Sequence, residues 1–230
     1  MKKLLCLGFL AFSAMTFNAK AINLELALLI DGSGSISASE FSLQRSGYTS
    51  GLLVLPTDGS VAVGVWQFAG STIQSVFTTT IIDSVATRTN LINAIAGMTQ
   101  LGGGTPLGAA ITTASNALLG NAIVSDRQLI DVSTDGVASD NAVAARNAAL
   151  AAGIEQINGL LVGPSTNDSF VGGVDSFAIA VPDFAAFGPA IQTKLLRETG
   201  QTGVPDSGNT LALMSLGLFG LLAARRMRAA

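Results

Sequence analysis

The sequence predicts an α/β domain: a doubly wound, mainly parallel central sheet with one antiparallel edge strand and helices on both faces. Apolar stretches of strand length alternate with amphipathic stretches of helix length through most of the chain, which is the pattern of repeated βα units. The first stretch, Leu24 followed by Leu26–Ile30, is too short to span a membrane and too uniformly apolar for a half-exposed strand. It reads as a strand buried on both faces. Small oxygen-bearing residues and glycines follow two of the predicted strands, as Asp31-Gly-Ser-Gly-Ser35 and Ser133-Thr-Asp-Gly136. In an open α/β sheet, that edge is where ligands collect.

Each element has its own signal. Ser37-Ala-Ser-Glu40 fits a capping box, and Phe41, Tyr48, Leu52 and Leu55 share the face of a helix running to about Leu55. After a turn at Pro56–Gly59, Val61, Val63, Val65, Trp66 and Phe68 make a second strand. A β-rich partner from Thr72 to Ile82 closes the hairpin at one sheet edge. Asp83 or Ser84 caps a helix with Leu91, Ile92, Ile95 and Met98 on one face. The glycine-rich loop Leu101-Gly-Gly-Gly-Thr-Pro-Leu107 enters a helix whose stripe is Leu107, Ile111, Ala114 and Leu118. Its Thr105-Pro106 pair has the form of an N-cap followed by proline in the first turn.

Arg127 leads into a strand at Leu129–Ser133, and a helix from about Asp140 to Ala152 ends at Gly153. Strands at Ile157–Val162 and Phe177–Val181 precede a last helix with Phe184, Phe187, Ile191 and Leu195, ending by Gly200. Asp131 reads either as support for the strand-end residues or Arg127, or as a buried acid paired locally. Trp66 and Phe68 read as core, and Asn158, Asn167 and Asp168 as loop or edge polar groups.

Both ends of the chain stand apart from this domain, which spans 22–203. Lys2 and Lys3, an apolar run from Leu4 to Phe17 and Ala19-Lys20-Ala21 form a signal peptide over 1–21, so the protein is exported. Cys6, the one cysteine, lies inside it, leaving the mature chain without disulfides. At the other end come Val204-Pro205-Asp206-Ser207-Gly208, an apolar segment Leu211–Ala224, and Arg225, Arg226 and Arg228. Fourteen apolar residues at about 1.5 Å each fall short of the roughly 30 Å hydrocarbon thickness. The arginines would stay cytoplasmic. The two ends supply much of the mean hydropathy of +0.53. The domain between them holds six basic and fourteen acidic residues, net −8, which disfavours nucleic acid as a partner.

Asp31, Ser33, Ser35, Thr105 and Asp135 fall at successive strand-end loops and offer five oxygen side chains without sulfur or imidazole. That chemistry suits a hard dication, Mg²⁺ or Mn²⁺ with Ca²⁺ also compatible, whose shell other groups and water must complete. The glycine-rich loop lacks the Lys-Ser/Thr pair of a phosphate-binding P-loop. With no histidine in the chain, the commonest general base is missing, so an enzyme such as a metal-dependent hydrolase using Asp31 ranks below a binding module.

The ordered trio Asp-x-Ser-x-Ser, threonine in a glycine-rich loop and Thr-Asp-Gly resembles the von Willebrand factor A (VWA) domain with its metal-ion-dependent adhesion site, over about Asn23–Gly200. The resemblance implies that Ser33, Ser35 and Thr105 contact the metal directly or through water. Asp31 and Asp135 would do so partly through water, leaving one position for an Asp or Glu of a protein partner. The tail resembles a PEP-CTERM-type sorting signal in its VPDSG variant. That likeness implies processing by an exosortase-like membrane enzyme, transient inner-membrane contact through the C-terminal segment, and sorting to the surface or extracellular matrix of a Gram-negative bacterium. A surface-sorted structural protein whose metal only rigidifies the loops is the alternative.

Overall fold

The computed structural model describes residues 22–201. The signal peptide read at 1–21 and the tail read at 204–230 lie outside the described residues. No helix among the described residues is long and apolar enough to cross a membrane.

Strand β1 (Leu24–Asp31) is buried along its whole length and occupies the middle of the sheet. It pairs in parallel with β2 (Val61–Ala69) on one side and β4 (Gln128–Thr134) on the other. Parallel β5 (Gln156–Val162) follows β4, and antiparallel β3 (Thr72–Ile81) closes the far edge beside β2. The order is therefore β3-β2-β1-β4-β5. The outer edge of β5 is shared by two short strands. Its first half pairs antiparallel with β6 (Gly172–Gly173) and its second half in parallel with β7 (Ala178–Val181). The mainly parallel sheet with an antiparallel edge matches expectation; β6 is an addition, invisible beforehand because two glycines carry no alternation.

Two shifts of register in the β2–β3 pairing put extra residues into β3. Such bulges twist an uncharged edge strand away from further pairing.

Helices α1 (Ala38–Gly51), α2 (Val85–Ala96) and α5 (Phe187–Glu198) cover one face, and α3 (Leu107–Leu119) and α4 (Ala142–Ala152) the other. The alternation of β1 divides its side chains between two cores. Leu26, Leu28 and Ile30 join Phe41, Tyr48, Leu91, Phe187 and Leu195, whereas Ala27 and Leu29 join Ile111, Leu118 and Ile157. Each fully buried leucine or isoleucine contributes about 1.5–3 kcal/mol.

The capping box at Ser37 is present: its hydroxyl accepts from the Glu40 amide, and the Glu40 carboxylate accepts from the Ser37 amide at 2.8 Å. Helix α1 stops at Gly51, and a turn of 3₁₀ helix at Leu52–Val54 completes the stretch expected to be helical to Leu55. Helix α4 begins two residues later than expected, capped by the Asn141 side chain. From β1 the chain goes outward to β2 and β3, then crosses back to β4 on the other side. The topological switch point thus lies between the carboxyl ends of β1 and β4.

Candidate metal centre

Asp31 ends β1 on the face of the sheet that α3 and α4 cover, in register with Leu29. Its carboxylate is fully buried and held at both oxygens. Oδ1 accepts the Ser33 amide at 2.8 Å, and Oδ2 accepts the Thr134 hydroxyl at 2.6 Å. Ser33 and Ser35 share a hydrogen bond between hydroxyls at 3.0 Å, and Ser35 donates to Asp135 Oδ1 at 2.7 Å. A continuous run of hydrogen bonds therefore links Asp31, through the first loop, to Asp135 just past the end of β4.

Thr105 arrives from the α2–α3 loop. A Cβ placed on Gly136 would lie 3.8 Å from the Thr105 hydroxyl and 3.9 Å from that of Ser35, so both oxygens border the same turn after Asp135. The alternative reading of Thr105 as the cap of α3 does not apply. Helix α3 starts at Leu107 with Pro106 in the cap position and no cap from a neighbouring side chain. Its first amides are instead met by Asp140, whose carboxylate accepts from Gly108 at 2.7 Å and Ala109 at 2.8 Å. A carboxylate 32 residues away thus does the capping, and the Thr105 hydroxyl stays at the cluster.

Main-chain contacts fix the loops against one another. Gly34 donates to the Gly103 carbonyl and Gly102 to that of Gly32, both at 2.8 Å, while Gly70 donates to Gly104 at 2.8 Å. Glycine is required for this approach. Gly103 has φ 94°, and a Cβ there would come within 2.9 Å of Gly70 Cα. From beneath, the Gln44 amide donates to the Asp31 carbonyl at 2.8 Å and accepts from Ser133 at 3.1 Å, and Tyr48 donates to Ser133 at 3.0 Å. Gln100 donates to the carbonyls of Ser33 and Ile36 at 2.9 and 2.7 Å.

Electrostatics set this cluster apart. Burial pushes the Asp31 carboxyl up to about 6, against the pull of its hydrogen bonds from Ser33 and Thr134, with the Asp135 charge adding to the rise. Asp135, half-buried, is also raised, first by burial and further by the Glu40 charge, and is lowered by Ser35. Among the described residues, neither acid forms an ion pair with a lysine or arginine. Two carboxylates and three hydroxyls, drawn together without such a partner, form an all-oxygen donor set suited to a hard dication. Among the described residues there is no group of three or more His, Cys, Asp or Glu placed to hold a metal ion. The strand-end cluster instead joins two carboxylates with three hydroxyls.

All five residues singled out in the sequence meet at this edge. Sequence reasoning missed the supporting groups Thr134, Gln44, Gln100 and Asp140. The dipeptide Thr134-Asp135 was visible, but the tether from Thr134 to Asp31 depends on parallel pairing of β1 with β4. Asp131 belongs elsewhere. It pairs with Lys194 of α5 at 2.6 Å, while Arg127 pairs with Glu155. Asn158, expected at a loop or edge, is buried beside that pair.

The fold is that of VWA-type domains. A matrix protein of the mussel byssus, proximal thread matrix protein 1, superposes with a TM-score of 0.65 at 15% identity over 78% of this chain and 48% of its own. The pilus adhesin SpaC of Lactobacillus rhamnosus GG, in an open conformation, gives 0.65 at 13% identity over 80% and 31%. A von Willebrand factor type A protein of Catenulispora acidiphila gives 0.64 at 14% over 78% and 43%. A further structure of the byssus protein is described as having a zinc-occupied MIDAS motif. The chain thus spans about half or less of the length of these neighbours. No curated protein matches. The VPDSG-CTERM motif matches residues 203–228, and a sorting motif of this kind implies export to the cell surface. Residues 21–203 match the family described as "Protein of unknown function (DUF1194)", and the chain belongs to that family.

Proposed function

We propose that the domain is a surface-displayed, non-enzymatic adhesion or matrix module that binds a protein partner through a divalent cation held by Asp31, Ser33, Ser35, Thr105 and Asp135. One observation carries this reading: three loops far apart in sequence bring five hydroxyl and carboxylate groups together near the switch point of the sheet, and among the described residues no lysine or arginine pairs with them. Mg²⁺ or Mn²⁺ fits the oxygen set best, with Ca²⁺ tolerated if water fills a larger shell. Because much of the donor set is neutral hydroxyl, the cation keeps enough positive charge to attract an incoming Asp or Glu. Ser35 is exposed and Asp135 half-buried, so this side of the cluster faces solvent, where that carboxylate would arrive. The neighbours named as a matrix protein and a pilus adhesin support the class of activity.

The signal peptide at 1–21 would be removed on export. The tail over 204–230, with Val204-Pro205-Asp206-Ser207-Gly208 at its head, would touch the inner membrane and be processed by an exosortase-like enzyme. Binding of acidic peptides to the purified protein, with Mg²⁺ or Mn²⁺ and again with EDTA, tests the reading. Adhesion predicts binding that needs metal and is lost in Asp31→Ala while the fold survives. Metal-dependent stability without any peptide binding would instead assign a structural matrix role.

A further inference from the structure

Lys194 is the only lysine of residues 22–203, and it is fully buried. Its ammonium sits between two acids, 2.6 Å from Asp131 Oδ1 on β4 and 2.5 Å from Glu198 Oε1 one turn further along α5. The Asn158 amide of β5 also donates to Glu198 Oε1, at 2.9 Å, and its carbonyl oxygen accepts the Phe177 amide at 3.1 Å. Among the described residues, Glu198 Oε2 and Asp131 Oδ2 are buried without a hydrogen-bond partner.

One ammonium cannot neutralise two carboxylates. Fully ionised, the trio would leave a negative charge in the interior, where water cannot reach its two bare oxygens. The other charged or titratable groups nearby do not correct this. Tyr48 of α1 is an acid that the Asp131 and Glu198 charges hold further toward its neutral form, after burial has already done so. Arg127 donates to the main-chain carbonyl of Glu198 at 3.3 Å and pairs with Glu155, and the Arg197 guanidinium lies 3.7 Å over the Phe177 ring. Neither arginine forms an ion pair with the Glu198 carboxylate among the described residues.

We infer that Asp131, Lys194 and Glu198 form a proton-operated clamp: with a proton on Glu198 the trio is neutral and pins α5 to the sheet, and release of that proton to solvent loosens the helix that leads into the sorting motif. Within Glu198, Oε2 is the oxygen left to take a proton, since Oε1 already accepts two hydrogen bonds. Burial, then the Asp131 charge, push the Glu198 carboxyl up to about 8 against the pull of Lys194. The sign follows from linkage. Folded protein keeps this proton up to about pH 8, whereas an unfolded chain loses it near 4.5, so stability is complete below 4.5 and declines as pH rises through 8.

The clamp is independent of any metal, and its test reads the fold directly. Thermal unfolding of the full chain and of Glu198→Gln would be followed from pH 5 to 9 in EDTA. Glutamine keeps the acceptor for Lys194 and Asn158 but cannot ionise. The midpoint of the native protein should fall by about 5 °C or more relative to the variant across that range. Corrected amide exchange in α5 should rise with pH in the native protein alone. Parallel melting curves with unchanged α5 exchange would overturn the clamp. Should the variant not fold, carbon-detected titration of the native Glu198 carboxyl decides: a midpoint near 8 supports the inference, and a group already ionised at pH 6 refutes it.

Discussion

Strand β4 serves two acid clusters that solve the same problem in opposite ways. Asp131, inside the strand, faces α5 and is neutralised by Lys194 in a sealed interior. Asp135, just past the strand's end, is half-buried and is linked to Asp31 through Ser35 and Ser33, with no ion-pair partner among the described residues. Both clusters gather carboxylates; one contains its counter-charge and the other lacks it. The strand-end acids have no ion-pair partner among the described residues, whereas the buried trio shares one lysine between two acids. This difference shows why the domain can place its one lysine inside despite a net charge of −8: the interior acids, not the surface, set where that lysine is needed.

The sharpest way to break the contrast is Lys194→Met, which leaves Asp131 buried without its partner. Urea unfolding should show a loss of about 3–5 kcal/mol. A loss below about 1 kcal/mol would mean that the interior acids do not depend on that lysine. Next, saturating metal should stabilise the native protein by about 2.7 kcal/mol at a hundredfold excess over Kd, and should leave Asp31→Ala unmoved. Equal stabilisation of both would place any metal away from the strand ends. Gly103→Ala should cost about 1–3 kcal/mol in denaturant melts, because it forces a side chain into a left-handed φ against Gly70. The same change should weaken metal affinity by shifting Thr105. Asp140→Ala should cost about 1 kcal/mol through the lost cap on α3, again read by urea unfolding. An unchanged midpoint would mean that the Asp140 carboxylate does not hold the start of that helix.

Much of the fold was legible because periodicity reports burial. The unbroken apolar run of β1, the alternating valines of β2 and the 3.6-residue stripe of α3 each announce the faces that the two cores cover. Asp31, Ser33, Ser35 and Asp135 were legible because they follow apolar strands among glycines, and Thr105 because it closes the glycine-rich loop before α3. That loop joins two helices and does not follow a strand, contrary to the expectation of a strand-end loop for all five. What stayed hidden depends on pairing across sequence. The tether from Thr134 to Asp31 needs β1 and β4 side by side, and the cap from Asp140 needs α3 and α4 adjacent. Glu198 and Lys194 lie one turn apart and continue the buried face of Ile191 and Leu195. A lysine and a glutamate on an apolar stripe were the available sign of the interior trio, but only the fold shows that Asp131 completes it.

Calorimetric titration of the purified protein with Mg²⁺ and with Mn²⁺ addresses the central claim most directly. The account predicts saturable binding of one ion per chain that disappears in Asp31→Ala and is weakened in Thr105→Ala. A flat trace with both metals, or binding that survives Asp31→Ala unchanged, would contradict it.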